Sequence, residues 1–584
     1  MFDKKRQANR EQRSFLLRVS LLGLGALVVF GFLVMRLSYL TLQRGQELYE
    51  LSENNFVSHG KIPAPRGNIV DRRGRILATS QPRYNISIAP FKIGREQLAQ
   101  SLDGIAQFCP EVRVPPLNHV LAVRPRWRSI PLATDLTMSQ TLPLLERQSL
   151  LPGLQIDQSF IRIYPHGRTA SFLSGYVGKI PSAELPGYLE RGFDMDDIVG
   201  ITAIERKYEH ILSGTKGFEI VHRNSFGRVL DSRMTEDGKA RRGGRVTLTI
   251  DMALQEEADR LLGGYHGVIM AMDPRNGDVL AMACHPNYDA NQPQLIGRQG
   301  NTSWNRALLT PLNPGSTFKL VTAAAYLMNG GDPGRSVSCF GHIELGGTRL
   351  HCDNRRGHGP LAFRDAVAKS CNIYFYQLAR ELGQERLVRA GEELGFGRPT
   401  GIALLDGVDS PGRLGDPMSR SLGDLVMMGI GQGRLIAATP IQMTRAFSTL
   451  ANGGVLHTPQ IVRNIELPDG SVREFPPIEL GRVEWTPEQH EMLMLGFRDV
   501  VEKPFGTGRH GKFPDWMKVA GKTGSAERVR GQPTDAYFVC FSPWDKPEIT
   551  VFVLLEKTGH GGEFAAPVVR QFLEKYYEIN KSKG

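Results

Sequence analysis

The chain has 584 residues, 41% of them hydrophobic and 22% charged, with 64 glycines and a formal net charge of +11. That length calls for at least two domains, and no internal repeat or low-complexity segment argues against ordinary globular folding. The positive balance invites a nucleic-acid reading, but no base-reading motif accompanies it, and part of the excess sits in one short N-terminal tail.

That tail, residues 1–18, carries Lys4, Lys5, Arg6, Arg10, Arg13 and Arg18 against only Asp3 and Glu11. Val19 to Met35 follows as an uncharged apolar run between Arg18 and Arg36, which Leu37 to Leu42 can extend to spanning length. The run is long for a signal-peptide core, and no small-x-small cleavage site follows it before Leu40-Thr-Leu-Gln-Arg44. It reads as an uncleaved anchor over 19–40. The positive-inside tendency keeps the N-terminus in the cytoplasm and places everything after about residue 40 outside. Export removes nucleic acid as a partner. The remaining positive charge suits anionic lipid headgroups or a wall polymer.

The outer region divides near Gly243-Gly244. Before it, residues 41–244 include Pro63-Ala-Pro-Arg-Gly-Asn-Ile-Val-Asp-Arg-Arg-Gly-Arg-Ile-Leu77, Gly200-Ile-Thr-Ala-Ile-Glu205 and Gly227-Arg228. Residues from about 80 to 165 alternate polar and apolar segments among many prolines. Beyond the boundary, Arg245 to Ile250 is strand-like and Met252 to Leu262 helix-like. Gly267 to Asp273 and Asp278 to Ala283 are strand runs around Pro-Arg-Asn-Gly, a hairpin signal.

Asn313-Pro-Gly-Ser316 then makes a turn into a mostly apolar helix, Thr317 to Leu327. Pro314 and Gly315 put Ser316 at the helix start, where unpaired N–H groups favour negative charge. Lys319 follows one turn along on the same face. Apolar surroundings would depress its pKa, as a neutral base requires. Ser370-Cys-Asn372 lies between two helix-like stretches, Leu361 to Lys369 and Ile373 onward, on a loop that can project into a cleft. Thr439-Pro-Ile-Gln442 is a capped helix start. Lys522-Thr-Gly-Ser525 opens a segment whose small residues admit a close backbone approach. Two strand-like runs follow it, Asp535 to Ser542 and Ile549 to Glu556, and Ala565 to Tyr577 closes as a helix. Residues 245–584 therefore read as an α+β unit, an antiparallel sheet with helices on both faces.

Each short motif is weak alone. Ser58-His-Gly-Lys61 and Ser213-Gly-Thr-Lys216 also read S-x-x-K, Ser303-Trp-Asn305 reads S-x-N, and Lys557-Thr-Gly559 repeats K-T-G. Order, separation and context select Ser316/Lys319, then Ser370/Asn372, then Lys522/Thr523/Gly524, the signature of serine enzymes that acylate on penicillin and on D-Ala-D-Ala peptides. Lys557 ends the last strand before a Gly-rich loop and is assigned to that loop.

Of six cysteines, Cys339, Cys352 and Cys371 bracket His358 as C-x12-C-x5-H-x12-C. Soft donors converging in fours make a closed tetrahedral Zn²⁺ site. Disulfides are the alternative in an exported domain, but three clustered thiols would leave one unpaired. His342, His351 and Asp353 stand as alternate ligands. Cys109, Cys284 and Cys540 have no evident partner, and the last two are simplest as buried apolar fillers.

Together the ordered motifs resemble the class B penicillin-binding proteins, the peptidoglycan D,D-transpeptidases. Ile204 to Gly217, Gly357-His-Gly-Pro-Leu361 and Gly429-Ile-Gly-Gln-Gly433 running to Met443 are most similar to the penicillin-binding protein 2, or elongation, branch. The resemblance implies a single-pass inner-membrane protein with a periplasmic catalytic domain, an elongated mostly-β pedestal over 41–244 with a head inserted at about 80–165, and a five-stranded transpeptidase domain over 245–584. Arg66 and Asp71 would pair to stitch the pedestal. Ser316 would attack the penultimate D-Ala of a stem peptide while neutral Lys319 takes the proton. Ser370 would pass a proton to the leaving amine, and Asn372 would orient the lysine and substrate. Ser316 and Ser525 N–H groups would form the oxyanion hole, and Lys522 and Thr523 would hold the terminal carboxylate. An amine from a neighbouring stem would resolve the acyl-enzyme, and β-lactams would trap it. Some members of this branch hold a zinc at the cysteine cluster with carboxylates among the ligands, which thiolates would replace here. The implied partners are the lipid-linked precursor polymer, a SEDS-type glycosyltransferase and elongation-complex proteins. Septal transpeptidation and D,D-carboxypeptidase activity remain the alternatives. A β-lactamase is disfavoured because no convincing deacylating glutamate is present and an anchor would be superfluous.

Overall fold

The computed structural model describes residues 2–581 except 47–56, 125–128, 224–228, 234–237, 299–303, 346, 403, 405–406, 408 and 528–530. Helix Phe2–Ser38 opens the chain and continues as a wider turn over Tyr39–Gln43. Its apolar part, Leu16–Gln43, runs 28 residues at a mean hydropathy of 2.2. At 1.5 Å per residue it exceeds the roughly 30 Å of a bilayer core.

Two compact units follow from the contacts: residues 1–64, 82–160 and 216–241 form one, and 65–81, 161–215 and 242–584 the other. The stretch expected to be a pedestal is thus shared between them. The reason is local pairing within the second unit. Strand Ile69–Val70 runs parallel to Arg245–Leu248, and the Gly67 and Gly243 amides donate to Leu212 and Pro65 carbonyls. In the first unit, residues 82–160 enclose a core of Ile86, Ile88, Leu98, Leu102, Ile105 and Leu144. Strands Val57–Ile62, Gly217–Arg223 and Val229–Arg233 pair antiparallel beside it in sequence, with Ser58 in the first strand. Gly227 and Arg228 lie outside the described residues.

Arg66 and Asp71 do not pair. Arg66 is buried and reaches Glu205 Oε2 at 2.8 Å and both oxygens of Glu209 at 2.9 Å. Arg162 meets the other Glu205 oxygen at 2.6 Å. Burial works against the Glu205 charge, but Arg162 and Arg66 outweigh it and hold the carboxyl below its ordinary range. Asp71 instead accepts from the Arg73, Arg75 and Met252 amides. A short carboxylate closing its own turn leaves nothing for a guanidinium that has two buried glutamates within reach.

The large unit is built on a five-stranded antiparallel sheet. Helix α1 (Met252–Leu262) precedes hairpin β1 (Gly267–Met272) and β2 (Val279–His285), turning at Gly277 with φ 81°. Helices α2 (Lys319–Met328), α3 (Phe363–Ala368), α4 (Asn372–Glu393, broken at Gly383) and α5 (Pro440–Ala451) follow. Thr439 caps α5 with Gln442 in the reciprocal box. Strands β3 (Ala520–Ala526), β4 (Asp535–Ser542) and β5 (Ile549–Leu555) and helix α6 (Gly561–Lys581) complete it, in strand order β2-β1-β5-β4-β3.

Period-two alternation explains why both faces are covered. Val268, Met270 and Met272 enter the core shared with α2 and α5. Ile269 and Ala271 enter the core shared with α1 and α6, through Leu254, Ala258, Val569 and Phe572. Cys284 and Cys540 are buried within β2 and β4 as apolar fillers. β3 is left as an edge strand, which decides where the site lies.

Candidate active site

Ser316 sits in a short 3₁₀ turn, Gly315–Phe318, immediately before α2, and is half-buried. Gly315 has φ 55°, and a side chain there would meet the Ser525 carbonyl at 2.8 Å. The turn carrying Ser316 is therefore pressed against β3. Gly431 backs the same turn: its carbonyl accepts from the Gly315 amide at 2.9 Å, and a Cβ on it would stand 2.1 Å from the Gly315 carbonyl. With φ 75°, only glycine fits at 431.

Lys319 is fully buried one turn after Ser316. Its Nζ donates to Ser370 O at 2.8 Å, Ser370 Oγ at 3.1 Å and Asn372 Oδ1 at 2.7 Å, and lies 5.3 Å from the Phe375 ring centre. Sequence reasoning aimed the amine at Ser316, yet its hydrogen bonds go to the second motif. Burial pulls the Lys319 pKa down to about 8, against the opposing charges of Asp353, Cys371 and Cys352. As a neutral amine it can donate to Ser370 O and Asn372 Oδ1 and still present a lone pair.

Ser370 is buried on the short link between α3 and α4, and Asn372 is buried at the first position of α4. Ser370 has φ 54°, a strained conformation for a serine, of the kind that clusters at functional sites. Asn372 Nδ2 reaches Asp353 Oδ1 at 3.5 Å.

Lys522, Thr523, Gly524 and Ser525 lie on the edge strand β3, paired with β4 from Val539 to Ala536. Burial and then the charge of Lys319 push the Lys522 pKa well down. Its Nζ donates to Thr523 O at 3.1 Å. Thr523 Oγ1 bonds Thr507 Oγ1 at 2.6 Å. A side chain on Gly524 would crowd Thr317 and Pro314 at 3.1–3.3 Å, so the strand can lie close to the serine turn. An unpaired strand edge beside a serine and two lysines can accept an extended peptide as an added strand.

The other matches fall elsewhere. Ser213 follows the short helix Glu209–Leu212, and Ser58 belongs to the smaller unit. Ser303 lies outside the described residues, and Asn305 caps helix Arg306–Leu309. Lys557 sits in the turn after β5 with φ 55°, its amide bound to Asp535.

Cys339, Cys352, His358 and Cys371 converge, their donor atoms all within 4.8 Å of one another. Cys352 Sγ and His358 Nδ1 are 3.6 Å apart. In a tetrahedral zinc centre with 2.3 Å bonds, sulfurs stand about 3.8 Å apart, so the cluster has suitable dimensions. The contact with Cys371, and then His358, lowers the Cys352 thiol pKa against burial. His342 and His351 face each other on the exposed hairpin His342–Leu345/Thr348–His351, outside this cluster. Cys371 is the N-cap of α4, between Ser370 and Asn372, so whatever holds its sulfur also holds the second motif.

Thr507, Phe375 and the bracing role of Gly431 were missed in the sequence. Thr507 carries no motif. Gly429 to Gly433 was visible only as a resemblance.

A family profile described as penicillin binding protein transpeptidase domain matches residues 267–574, and one described as penicillin-binding protein dimerisation domain matches 61–248. The chain is 29% identical over 618 residues to the peptidoglycan D,D-transpeptidase MrdA of Haemophilus influenzae, covering 98% of this chain and 93% of that one. It is similar to a chain of the solved peptidoglycan synthase complex that coordinates polymerization and crosslinking, at 27% identity and TM-score 0.73, covering 96% and 98% of the two chains. It shares its fold with a chain of the complex between PBP2 and MreC from Helicobacter pylori, at 24% identity and TM-score 0.72, covering 90% and 99%.

Proposed function

The chain belongs to the penicillin-binding proteins that carry a dimerisation domain ahead of a transpeptidase domain, and from that premise we propose that it cross-links peptidoglycan stem peptides during cell-wall elongation through an acyl-enzyme on Ser316. The observation that carries the residue assignment is the placement of Lys319, buried one turn from Ser316 and bonded to both Ser370 and Asn372, beside an edge strand bearing Lys522. The elongation branch rather than the septal one fits the relatives named MrdA and PBP2.

Ser316 Oγ gives its proton to neutral Lys319 and attacks the penultimate D-Ala carbonyl. The oxyanion forms toward the Ser316 and Ser525 amides, at the start of a helix and on the edge strand. Lys522 and Thr523 hold the terminal carboxylate, whose charge restores the proton that burial removes from Lys522. Ser370 relays the proton to the departing D-Ala. A second stem's amine then takes the acyl group and frees Ser316. A β-lactam follows the first half only and stays on the serine.

Cys339, Cys352, His358 and Cys371 would hold one zinc ion, three thiolates and an imidazole completing a closed tetrahedral set. An ion held there would supply no chemistry to the reaction, and through Cys371 these ligands would fix the position of Ser370 and Asn372. The apolar N-terminal helix, the one helix of spanning length among the described residues, fits a single-pass inner-membrane protein, and the basic residues before it orient the N-terminus to the cytoplasm and the catalytic domain to the periplasm. Partners of the kind named for the similar complexes, an MreC-type protein and a glycan polymerase, fit this placement, the polymerase being the SEDS-type glycosyltransferase implied by the resemblance.

Labelling with a fluorescent penicillin tests the assignment. Ser316→Ala should abolish the covalent band, while Ser58→Ala and Ser213→Ala should retain it. Label surviving Ser316→Ala refutes the reading.

A further inference from the structure

Among the described residues, one carboxylate stands against Asn372 of the second motif without belonging to any motif itself. Asp353 follows the cluster cysteine Cys352, is exposed, and makes a single long contact, accepting from Asn372 Nδ2 at 3.5 Å. The other end of that amide accepts from Lys319 at 2.7 Å, so the carboxylate stands one side chain away from the base. Its negative charge is felt at Lys319 and at Lys522. No ion pair holds it among the described residues. It is not among the four converging donors of the cysteine cluster.

The second half-reaction gives such a group a task. An aliphatic amine is an ammonium ion near neutral pH, and the burial that depresses both Lys319 and Lys522 shows that the cleft disfavours a positive charge. Water, the competing nucleophile, feels no such barrier. We propose that Asp353 binds the acceptor's ammonium group beside the acyl-enzyme and so directs the acyl group to an amine rather than to water. The inference rests on the acyl-enzyme at Ser316 proposed above.

The step balances as follows. The ammonium held by Asp353 gives one proton to neutral Lys319, directly or through Ser370 Oγ. The resulting amine attacks the acyl carbon, forming C–N. The C–Oγ bond breaks and Ser316 Oγ takes a proton from the nitrogen through the same relay. The proton first taken by Lys319 leaves to solvent. The net change is ammonium plus acyl-serine to amide, free serine and one proton.

The experiment measures partition of the acyl-enzyme in the full-length protein, with an N-acyl-D-alanyl thioester as donor. The nucleophiles are glycinamide, an ammonium at neutral pH, and hydroxylamine, which is uncharged there. The ratio of aminolysis to hydrolysis is independent of how fast the acyl-enzyme forms. Asp353→Asn should lower the glycinamide ratio about tenfold, the equivalent of roughly 1.4 kcal/mol. It should leave the hydroxylamine ratio in place, and Asp353→Glu should recover most of the loss. An unchanged glycinamide ratio overturns the proposal. So does an equal fall with both nucleophiles, which would mean that Asp353 acts only by steadying Asn372 and Lys319. Mass spectrometry of the acylated peptide separates the two readings: an acyl group on a residue other than Ser316 sinks the active-site assignment itself.

Discussion

Lys319 should make acylation depend steeply on pH, and the structure sets where. Burial takes its pKa from the ordinary 10.5 to about 8. At about pH 7 roughly a tenth of such amines are uncharged, against about one in three thousand for an unperturbed lysine. The pocket therefore enriches the neutral amine roughly 300-fold. The second-order rate of acylation by a fluorescent penicillin, measured by stopped flow across this range, should climb about tenfold per pH unit below about pH 8 and level off above it. The stability sign follows from the same shift. The unfolded chain keeps the lysine proton up to 10.5 while the folded one releases it near 8, so stability rises with pH across that window, by about 3 kcal/mol in total. Below about 8 that cost is fully present. A rate that stays flat from about pH 6 to 10 would show that the lysine is not the titrating base. A rate still climbing tenfold per unit at about pH 10 would show that burial does not depress it.

Two further outcomes follow from the buried clusters. Protein purified without chelator should carry about one zinc per chain, and Cys352→Ser should lose it and acylate about 10- to 100-fold more slowly, the range for disturbed metal-shell contacts; elemental analysis finding no stoichiometric zinc in the unmodified protein ends that assignment. Glu205→Ala leaves Arg162, and half of the Arg66 pairing, buried without its anion, which should cost about 3–5 kcal/mol by chemical denaturation. A loss below about 1 kcal/mol would mean that water or Glu209 replaces the carboxylate.

Much of this protein is legible one residue at a time. The hairpin at Gly277, the α5 cap at Thr439 and the apolar strand runs of β1, β4 and β5 follow from local rules, because turn strain, capping and strand propensity act over a few neighbours. The ordered serine, lysine and asparagine motifs likewise announce acyl transfer, since that chemistry needs those groups at those spacings. The four zinc-type donors could be picked out by residue type alone. Long-range choices were a different matter. Arg66 could have met Asp71, five positions on, yet takes Glu205 and Glu209, because a buried guanidinium settles where two carboxylates can surround it. The Lys319 amine turns to Ser370 and Asn372, some fifty residues distant, because acceptors there replace the water it gives up. Thr507, Gly431 and Asp353 join the site for the same reason: which side chains share a cleft is decided by packing of the folded sheet and helices, and no local pattern encodes that distance.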